Sequence, residues 1–406
     1  MNIEKIKNYR KLAQDELDRS LKFWLEHGMD PQYGGIMTFL DRKGNVYCED
    51  KSVWMQGRCG WTFANMCNLF GERKEWLEAS KSCLDFLEAH CVNREKGNRL
   101  YFITTREGQP LRQRRYHASE GFYAMANAEY AIATGDPEAK KHAIDAAKLI
   151  WDLDHGMEDP VGLGPKGIPG MRPGRVLSDP MGTIMLSTIM RRVDPENKDI
   201  YDERAQKAAE EVVKYHIKPE LGCTLEFVKP DGGVYHEFCE GRRVGIGHDF
   251  ESAWCLLDEA IYENNEELSK QAALMFDMAA EKGWDEKYGG LLYFIDCDGL
   301  PIEVYEHDMK LWWPHCEMLL CAMKLYCYFK DEKYFDWFEK CWDYSMKHFS
   351  DSEFGEWYGY LRREGLPTEP PTKGTLFKGP FHVPRTMSQL VVLFTELLEK
   401  NRRNEI

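Results

Sequence analysis

The segment Lys378–Arg385, KGPFHVPR, places one imidazole, His382, between two prolines and three residues before an arginine. The prolines at 380 and 384 restrict the backbone on either side of His382. If Pro384 opens a helix, Arg385 lies on the turn next to His382, where its guanidinium is available to a developing negative charge. Taken alone, the segment fits a loop histidine without a function equally well, so the other polar segments decide.

Other segments combine polar groups with aromatic rings in the same way. GIGHDFESAW puts His248 and Glu251 three residues apart, on one face of a helix if a helix begins there. KLWWPHCEM supplies Trp312, Trp313, His315 and Glu317, WMQGRCGW supplies Arg58, and RRYHASEGF supplies His117 and Glu120. A sugar has apolar C–H faces and a polar rim, so aromatic rings beside hydrogen-bonding groups indicate a sugar site.

Histidines near neutral pKa are suited to moving protons. Two of them on opposite sides of one carbon could remove a proton from one face and return a proton to the other, which inverts the stereocentre. That carbon must lie next to a carbonyl, as carbon 2 of an open-chain aldose does, and Arg58 and Arg385 could stabilise the charge that develops on oxygen. The pattern therefore predicts a sugar 2-epimerase in which two of the histidines act as acid and base, without a metal or redox cofactor.

Glycoside hydrolysis is the second interpretation, because Glu120, Glu251 and Glu317 could supply the two carboxyl groups that it needs. It ranks lower since it leaves three histidines unused. A third interpretation is a protein that binds a sugar or a protein partner without catalysis. No glycine-rich nucleotide fingerprint follows a strand pattern, and no nucleophile-elbow motif is present.

A repeated strand pattern organises the chain around these residues. A short strand ends in an aromatic, and a glycine follows five residues later, at Phe39, Phe227, Phe294 and Tyr360, with a copy at Phe102 that has one extra residue. The spacing is about 65 residues, with a gap of two periods between Phe102 and Phe227. We expect a degraded copy at residues 161–174, which keep the glycines and lose the strand.

Helical periodicity fills the stretches between these strands, for example at Glu75–His90, Glu251–Glu263 and Ser388–Leu398. Two helices in each of six periods make about twelve, and several are apolar on more than one face, as an enclosed inner ring requires. The sequence therefore predicts an all-α (α/α)6 barrel of about twelve helices with short β-hairpins between repeats. Residues 1–406 form one catalytic domain in this prediction, and an open solenoid is the alternative.

Distinctive polar residues follow the repeat aromatics at similar distances, 18 to 22 residues on. In a closed barrel, equivalent positions share one end of the axis, so these groups are expected to converge on one cavity. Helix caps could give the same spacing, but caps favour Ser, Thr, Asp and Asn. The residues at these distances are Arg58, Glu120, His248, His315 and His382.

Composition excludes several classes of function. The formal net charge is -15 and the isoelectric point is near 5.4, so nucleic acid and acidic membranes are not expected partners. Residues 1–26 lack the apolar core of a signal peptide, and no run is long and apolar enough to span a membrane. The thirteen cysteines are scattered without a CxxC pair, which favours free thiols in a reducing cytoplasm and no zinc site.

The motifs WMQGR, SEGFYAMA, GHDFESAW, KLWWPHCE and KGPFHVPR together resemble the N-acylglucosamine 2-epimerases, over essentially the whole chain. The resemblance implies an (α/α)6 barrel that interconverts N-acetylglucosamine and N-acetylmannosamine by two-histidine proton transfer. It assigns His248 and His382 to catalysis. The groups that bind or polarise the substrate would be Arg58, Glu251, Glu317 and Arg385, with Glu120, Trp312 and Trp313 as further substrate-binding candidates.

The resemblance also implies a cytoplasmic homodimer, a place in sialic acid metabolism, and stimulation by ATP, although the sequence shows no nucleotide pocket. Cellobiose 2-epimerases and mannose-type aldose–ketose isomerases are similar too, and they typically carry a further histidine on the central helix. The corresponding segment here, LSDPMGTIML at residues 177–186, has none, which favours the N-acyl sugar branch. GHDFESAW resembles the cellobiose enzymes about as well, and the pattern assigns no role to His117 or His315.

Overall fold

The structure is a computed structural model that describes residues 3–164 and 166–403. The described part contains twelve long helices and a four-residue helix at Cys239–Arg242. The long helices are α1 (Ile3–His27), α2 (Val53–Phe70), α3 (Lys74–Phe86), α4 (Ala118–Thr134), α5 (Pro137–Asp154), α6 (Ser178–Val193), α7 (Lys198–Glu211), α8 (Ile246–Glu263), α9 (Glu266–Gly283), α10 (Trp312–Phe329), α11 (Glu332–His348) and α12 (His382–Arg402).

The even-numbered helices form a closed inner ring. Each of them packs against the next, from α2 through α4, α6, α8 and α10 to α12, and α12 returns to contact α2. The helices α3, α5, α7, α9 and α11 each pack outside the inner helix that precedes them, and α1 covers α12. This arrangement confirms the predicted (α/α)6 barrel. Within the described residues, none of the helices combines the length and apolar content needed to cross a bilayer.

The two rings begin their helices differently. Three outer helices have an Asp or Asn N-cap whose side chain accepts backbone N–H bonds: Asp136 for α5, Asn265 for α9 and Asp331 for α11. The inner helices α2, α8 and α10 instead start directly after short strands. Those strands, rather than side-chain caps, fix where the first turn of each of these three inner helices lies.

Within residues 3–164 and 166–403, thirteen short strands connect the repeats at one end of the barrel. They are β1 (Lys51–Ser52), β2 (Val92–Asn93), β3 (Arg99–Leu100), β4 (Ile103–Thr104), β5 (Pro110–Arg112), β6 (Arg175–Val176), β7 (Ile217–Lys218), β8 (Cys223–Thr224), β9 (Phe227–Val228), β10 (Arg243–Gly245), β11 (Phe294–Asp296), β12 (Lys310–Leu311) and β13 (Tyr360–Leu361). The antiparallel pairs β1–β4, β6–β9, β10–β11 and β12–β13 join a strand before an inner helix to the aromatic strand of the next repeat. The first turns of these inner helices are therefore tied together across the repeats.

Buried ion pairs reinforce this end of the barrel in three places. Lys51 Nζ donates to Asp30 Oδ2 at 2.9 Å, and both side chains are fully buried. Lys310 and Asp285 form the same pair at 2.9 Å, and Lys373 pairs with Asp351. An arginine from another loop completes each cluster: Arg106, Arg363 and Arg42, respectively. Removing one member would leave an uncompensated buried charge, so these clusters hold the loops in one geometry.

The degraded repeat lies where the glycine-rich segment predicts it. Residues 155–174 form turns and bends around the undescribed residue 165, and the first strand after them is β6. The inner helix α6 follows, and the apolar periodicity did not reveal it, because the segment SDPMGT interrupts the spacing of its first turns. Packing between α4 and α8 makes this segment helical despite its weak local pattern.

Candidate active site

The two predicted catalytic histidines lie near the ring of one tryptophan, and we refer to the space around this ring as the cavity. His248 lies in the first turn of α8, and His382 is the first residue of α12. The ring of Trp313, in the first turn of α10, lies near both of them, with its centroid 5.2 Å from His248 and 5.7 Å from His382. Two imidazoles that are far apart in sequence are therefore brought to the same indole.

Each histidine is held through the same nitrogen. His248 Nδ1 lies 2.6 Å from Glu226 Oε1, and His382 Nδ1 lies 2.7 Å from Glu317 Oε1. A carboxylate accepts a hydrogen bond from a nitrogen that carries a proton, so Nδ1 is the donor in both pairs. Nε2 is therefore left to exchange protons. The sequence analysis did not identify Glu226. Its one signal is its position, directly before the repeat aromatic Phe227 in GCTLEFVKPDG.

The two histidines differ in charge. Burial and the nearby cations Arg58 and Arg385 hold the pKa of His382 well below its usual value. Burial also opposes protonation of His248, but the Glu226 carboxylate overcomes it and raises the pKa of His248 to about 9. At neutral pH the site therefore contains one neutral imidazole and one imidazolium, which is the state that a base and an acid need.

Arg385 connects the two predicted glutamates behind His382. Its Nη2 donates to Glu251 Oε1 at 3.0 Å and to Glu317 Oε1 at 2.5 Å, and all three side chains are buried. Trp254 Nε1 donates to the other oxygen of Glu317 at 2.8 Å. The two carboxylates raise the pKa of Arg385 even though burial opposes its charge. This network fixes the carboxylate that orients His382.

The same cluster has the spacing of a metal site, since ligand atoms of Glu251, Glu317 and His382 lie within 4.8 Å of one another. Arg385 Nη2, however, already donates to both carboxylates. A guanidinium in that position supplies the positive charge that the carboxylates need, and a divalent cation beside it would be repelled. The donor set therefore fits an arginine-centred network rather than a metal centre.

Arg58 is a cation that presents guanidinium N–H donors beside two aromatic rings. Its guanidinium lies 4.2 Å from the ring centroid of Phe122 and 4.7 Å from that of Phe381. Burial lowers its pKa to about 10, which still leaves it charged at neutral pH. Nη1 reaches only the Phe377 carbonyl, at 3.5 Å, and Nε has no hydrogen-bond partner within the described part of the chain. Arg58 is thus positioned to donate to an oxygen of a bound molecule.

The adjacent tryptophans have different environments. Trp313 is partly exposed and contacts both histidines. Trp312 is buried, with its ring centroid 6.1 Å from that of His382 and 5.4 Å from that of Tyr360. Trp313 can therefore stack against a ligand, whereas Trp312 supports the wall behind His382.

The structure does not bring Glu120 to this cluster. Its Oε1 accepts hydrogen bonds from Arg99 Nε and from the backbone N–H of Leu100, both at 2.7 Å, and the side chain is fully buried. Arg99 also pairs with Asp159. Glu120 therefore anchors the β3 strand to α4, and its predicted role in substrate binding has no support in this geometry.

His315 does not face the cavity either, contrary to the expectation that the equally spaced polar residues converge. It is fully buried, donates from Nδ1 to the Leu311 carbonyl at 2.7 Å, and accepts at Nε2 from the Leu291 N–H at 2.9 Å. Burial lowers its pKa to about 3. In the first repeat, Gln56 has the same role, since its Oε1 accepts from the Ile36 N–H at 2.7 Å.

Strand register explains the error. Ile295 and Leu361 each follow a repeat aromatic, and they pair with Val244 and Lys310. His248 comes four residues after Val244, and Pro314 comes four residues after Lys310. His315 is therefore displaced by one residue from the position equivalent to His248. One residue turns a helix by about 100°, which rotates His315 away from the cavity. Seven residues after the partners, Glu251 and Glu317 do coincide and both bind Arg385.

His117 lies apart from the histidine pair, at the start of α4. Its Nε2 is 2.7 Å from Asp154 Oδ1, at the end of α5. Burial opposes its charge, but Asp154 raises the pKa of His117 overall. This ion pair joins an inner helix to an outer helix, and the structure gives no contact that assigns it a further role.

Comparison with known proteins gives a consistent result. The family model described as N-acylglucosamine 2-epimerase (GlcNAc 2-epimerase) matches residues 34–378. The N-acylglucosamine 2-epimerase of Mus musculus is 33% identical over 400 residues, which are 98% of this chain and 94% of the relative. The cellobiose 2-epimerase of Bacteroides fragilis is 25% identical over 404 residues, covering 94% of this chain and 98% of the relative.

The same architecture is found in solved structures. The structure of cellobiose 2-epimerase from Bacillus thermoamylovorans B4167 superimposes with a TM-score of 0.83 and 19% sequence identity. The superposition covers 95% of this chain and 99% of that one. At this level of identity, the likeness shows a shared fold.

Proposed function

Since the chain belongs to the N-acylglucosamine 2-epimerase family, we propose that it interconverts N-acetylglucosamine and N-acetylmannosamine by proton transfer at carbon 2. The enzyme is an isomerase of the carbohydrate epimerase type. The observation that carries the mechanism is the pair of imidazoles beside Trp313, each with Nδ1 bound to a glutamate and Nε2 left for the substrate.

Epimerisation requires an acidic C–H bond. In the open-chain sugar, the aldehyde at carbon 1 acidifies the proton on carbon 2, because the electron pair left by that proton spreads onto the carbonyl oxygen. One imidazole removes the proton, and the other delivers a proton to the opposite face of the same carbon. The N-acyl substituent stays on carbon 2, and only its configuration changes.

Charge develops on the carbonyl oxygen in the transition state. Arg58 supplies guanidinium N–H groups from a partly buried position, where a hydrogen bond to an oxyanion is worth more than in water. Arg385 acts through Glu317, because its hydrogen bond holds the carboxylate that orients His382. Trp313 would support an apolar face of the sugar.

The hydrolase alternative is not favoured by this geometry. An inverting hydrolase needs one protonated carboxyl group and one carboxylate with space for a water molecule. Glu251 and Glu317 both accept hydrogen bonds from the Arg385 guanidinium. Glu120 is bound to Arg99 in a separate cluster. All three candidate carboxyl groups are thus held by arginines.

Proton exchange in heavy water tests the proposal. N-acetylglucosamine incubated with the enzyme is expected to give N-acetylmannosamine with deuterium at carbon 2, as read by proton NMR. Formation of a ketose would indicate an aldose–ketose isomerase, and turnover of cellobiose in preference to the N-acetyl sugar would indicate the cellobiose branch. Product without deuterium at carbon 2, or no product from any sugar, would reject the mechanism.

The family resemblance extends the proposal to assembly and regulation. We propose a homodimer in the cytoplasm, with a place in sialic acid metabolism. ATP would act as an activator, because the proton transfer itself consumes no nucleotide. Light scattering tests the dimer, and a titration of activity against a non-hydrolysable ATP analogue tests activation without phosphoryl transfer.

A further inference from the structure

We propose that Glu226 is a positioning residue that keeps His248 in its imidazolium form in the free enzyme, so that His248 is the proton donor and His382 the base for the epimer whose carbon 2 proton faces His382. This inference rests on the proposed function, and it assigns different starting roles to two histidines that the reaction scheme treats alike. It concerns a glutamate that lies outside the motifs carrying the family resemblance.

The position of Glu226 is fixed from two sides. Its backbone N–H donates to the Arg243 carbonyl at 3.2 Å, and its own carbonyl accepts from the Leu177 N–H at 2.9 Å. The side chain is 6% exposed and its Oε1 lies 2.6 Å from His248 Nδ1. These contacts join β10, the start of α6 and the first turn of α8 at one residue.

Gly245 makes room for this contact. A Cβ atom at position 245 would collide with the Glu226 carboxylate. Its backbone φ of -98° is open to any residue, so the requirement for glycine here comes from the close approach and not from conformation. Position 245 therefore offers a way to displace the carboxylate without changing its chemistry.

Two buried carboxyl groups, Glu226 and Asp249, share this pocket, and only Glu226 carries a negative charge. Asp249 is buried beside Glu226, and both of its oxygens lack a hydrogen-bond partner among the described residues. Burial and the Glu226 charge hold the pKa of Asp249 far above its usual value, so it is neutral. Burial would also neutralise Glu226, but His248 keeps the pKa of Glu226 low, with smaller help from Arg243.

The other groups around His248 do not reverse this result. The Glu251 carboxylate favours the charged form of His248. Arg243 disfavours that form, but its effect is weaker than that of Glu226. His216 donates from Nδ1 to the Leu225 carbonyl at 2.8 Å, and burial lowers its pKa, so it adds no charge. His382, on the other side of the cavity, faces Arg58 and Arg385 and is neutral.

The proton balance of one turnover follows from this resting state. The neutral His382 takes the carbon 2 proton at Nε2, a C1–C2 double bond forms, and the charge passes to the carbonyl oxygen near Arg58. The imidazolium His248 then gives its Nε2 proton to the other face of carbon 2, and the carbonyl is restored. His382 ends protonated and His248 neutral, and exchange with solvent returns the proton to His248.

The test uses Glu226→Gln with Asp249→Asn as its matched control, because both replace a buried carboxyl group with an amide in the same pocket. We expect a bell-shaped kcat/KM profile in which the alkaline limb reports His248 and the acid limb reports His382. Glu226→Gln should move the alkaline limb to lower pH by about 1 to 2 units and leave the acid limb in place. Asp249→Asn should leave both limbs in place, since Asp249 is already neutral.

A second measurement needs no substrate. NMR titration of labelled histidine in the free enzyme, with His248 assigned through His248→Asn, should show His248 titrating at lower pH in Glu226→Gln and unchanged in Asp249→Asn. If Glu226→Gln fails to fold, Gly245→Ala displaces the same carboxylate and should give the same shift. Circular dichroism and thermal unfolding confirm that the variants compared are folded.

Two kinds of failure are distinguishable. If the wild-type enzyme exchanges no carbon 2 proton in any N-acyl sugar, the proposed function fails, whatever Glu226 does. If the wild-type enzyme is active but the alkaline limb and the His248 titration stay in place in Glu226→Gln and Gly245→Ala, Glu226 does not set the proton state of His248. An equal fall in activity at every pH would also overturn the proposal, because it would indicate a purely structural role.

Discussion

The His248 side and the His382 side of the cavity have the same local design. In each, an imidazole in the first turn of an inner helix donates from Nδ1 to a glutamate on a neighbouring element, at 2.6 Å and 2.7 Å respectively. The glutamates differ in what else they bind. Glu226 has His248 as its main charged partner, whereas Glu317 also binds Arg385 and Trp254.

This difference shows that a histidine–glutamate pair does not by itself determine the proton state of the imidazole. Around His382, Arg58 and Arg385 add positive charge and burial is nearly complete, so the neutral form is favoured. His248 is 32% exposed and faces an unshared carboxylate, so the charged form is favoured. Groups beyond the pair decide which imidazole is charged and which is neutral.

The largest expected effect is the loss of either imidazole. His382→Asn and His248→Asn should each lower kcat for epimerisation by about 10²–10⁴-fold, because each removes one of the two proton-transfer groups. If the two histidines serve opposite faces, each variant should still exchange the carbon 2 proton of one epimer, and a different epimer in each case. NMR in heavy water with both sugars measures this, and exchange of the same epimer in both variants would contradict the two-sided arrangement.

Glu317→Gln should be the next most severe change. It should lower stability more than the corresponding change on the His248 side, Glu226→Gln. Glu317 is fully buried and bound to Arg385, so its loss should lower the free energy of unfolding by ~3 kcal/mol as well as reduce kcat. Glu226→Gln should cost far less stability, because its main charged partner, His248, can lose its proton. Urea unfolding of both variants provides the comparison, and equal losses would show that Arg385 adds nothing to the importance of Glu317.

Arg58→Gln should affect the His382 side alone. We expect kcat to fall by about 10²-fold with a smaller change in KM, because the lost N–H groups act on the charge of the transition state. Removing this cation should also raise the pKa of His382, since Arg58 is one of the charges that lower it. As His382 must be neutral to act as a base, the acid limb of the pH profile should move to higher pH, and the alkaline limb should stay in place.

The smallest effect is expected at His315, the histidine outside the cavity. Gln56 makes the corresponding contact in the first repeat, so His315→Gln should keep the hydrogen bond from the Leu291 N–H. We expect kcat/KM within about twofold of the wild-type value and a stability loss of about 1 kcal/mol or less. A large fall in kcat with normal stability would show that His315 takes part in the reaction after all.

Much of the fold follows from local patterns. The repeat aromatics and the helical periodicity predict six helix pairs, because a helix with an apolar stripe must cover it with a neighbour. The pattern failed at α6, where the residues before Ile184 lack regular apolar spacing, and at the starts of α8 and α12, which begin five and six residues before the predicted helices. Pairing with strands of the next repeat sets the starts of α8 and α10, and a local window cannot contain that partner.

The site was predicted less evenly than the fold. Arg58, His248, Glu251, Glu317, His382 and Arg385 stand out by residue type beside aromatics, and the structure brings them together. Glu120 and His315 also stood out, but neither reaches the cavity. Glu120 is bound to the buried Arg99, and His315 is displaced by one residue from the position equivalent to His248. Glu226 has no distinctive neighbours in sequence, and only its contact with His248 reveals it.

The sequence by itself determined the sixfold repeat, the barrel, and the presence of two histidines near the starts of inner helices, because these depend on residue periods and on residue type. The tertiary structure alone decided which glutamate holds which histidine, that Arg385 connects Glu251 to Glu317, and that His248 is charged while His382 is neutral. Proton states depend on burial and on charges brought from distant repeats, and both exist only once the ring has closed.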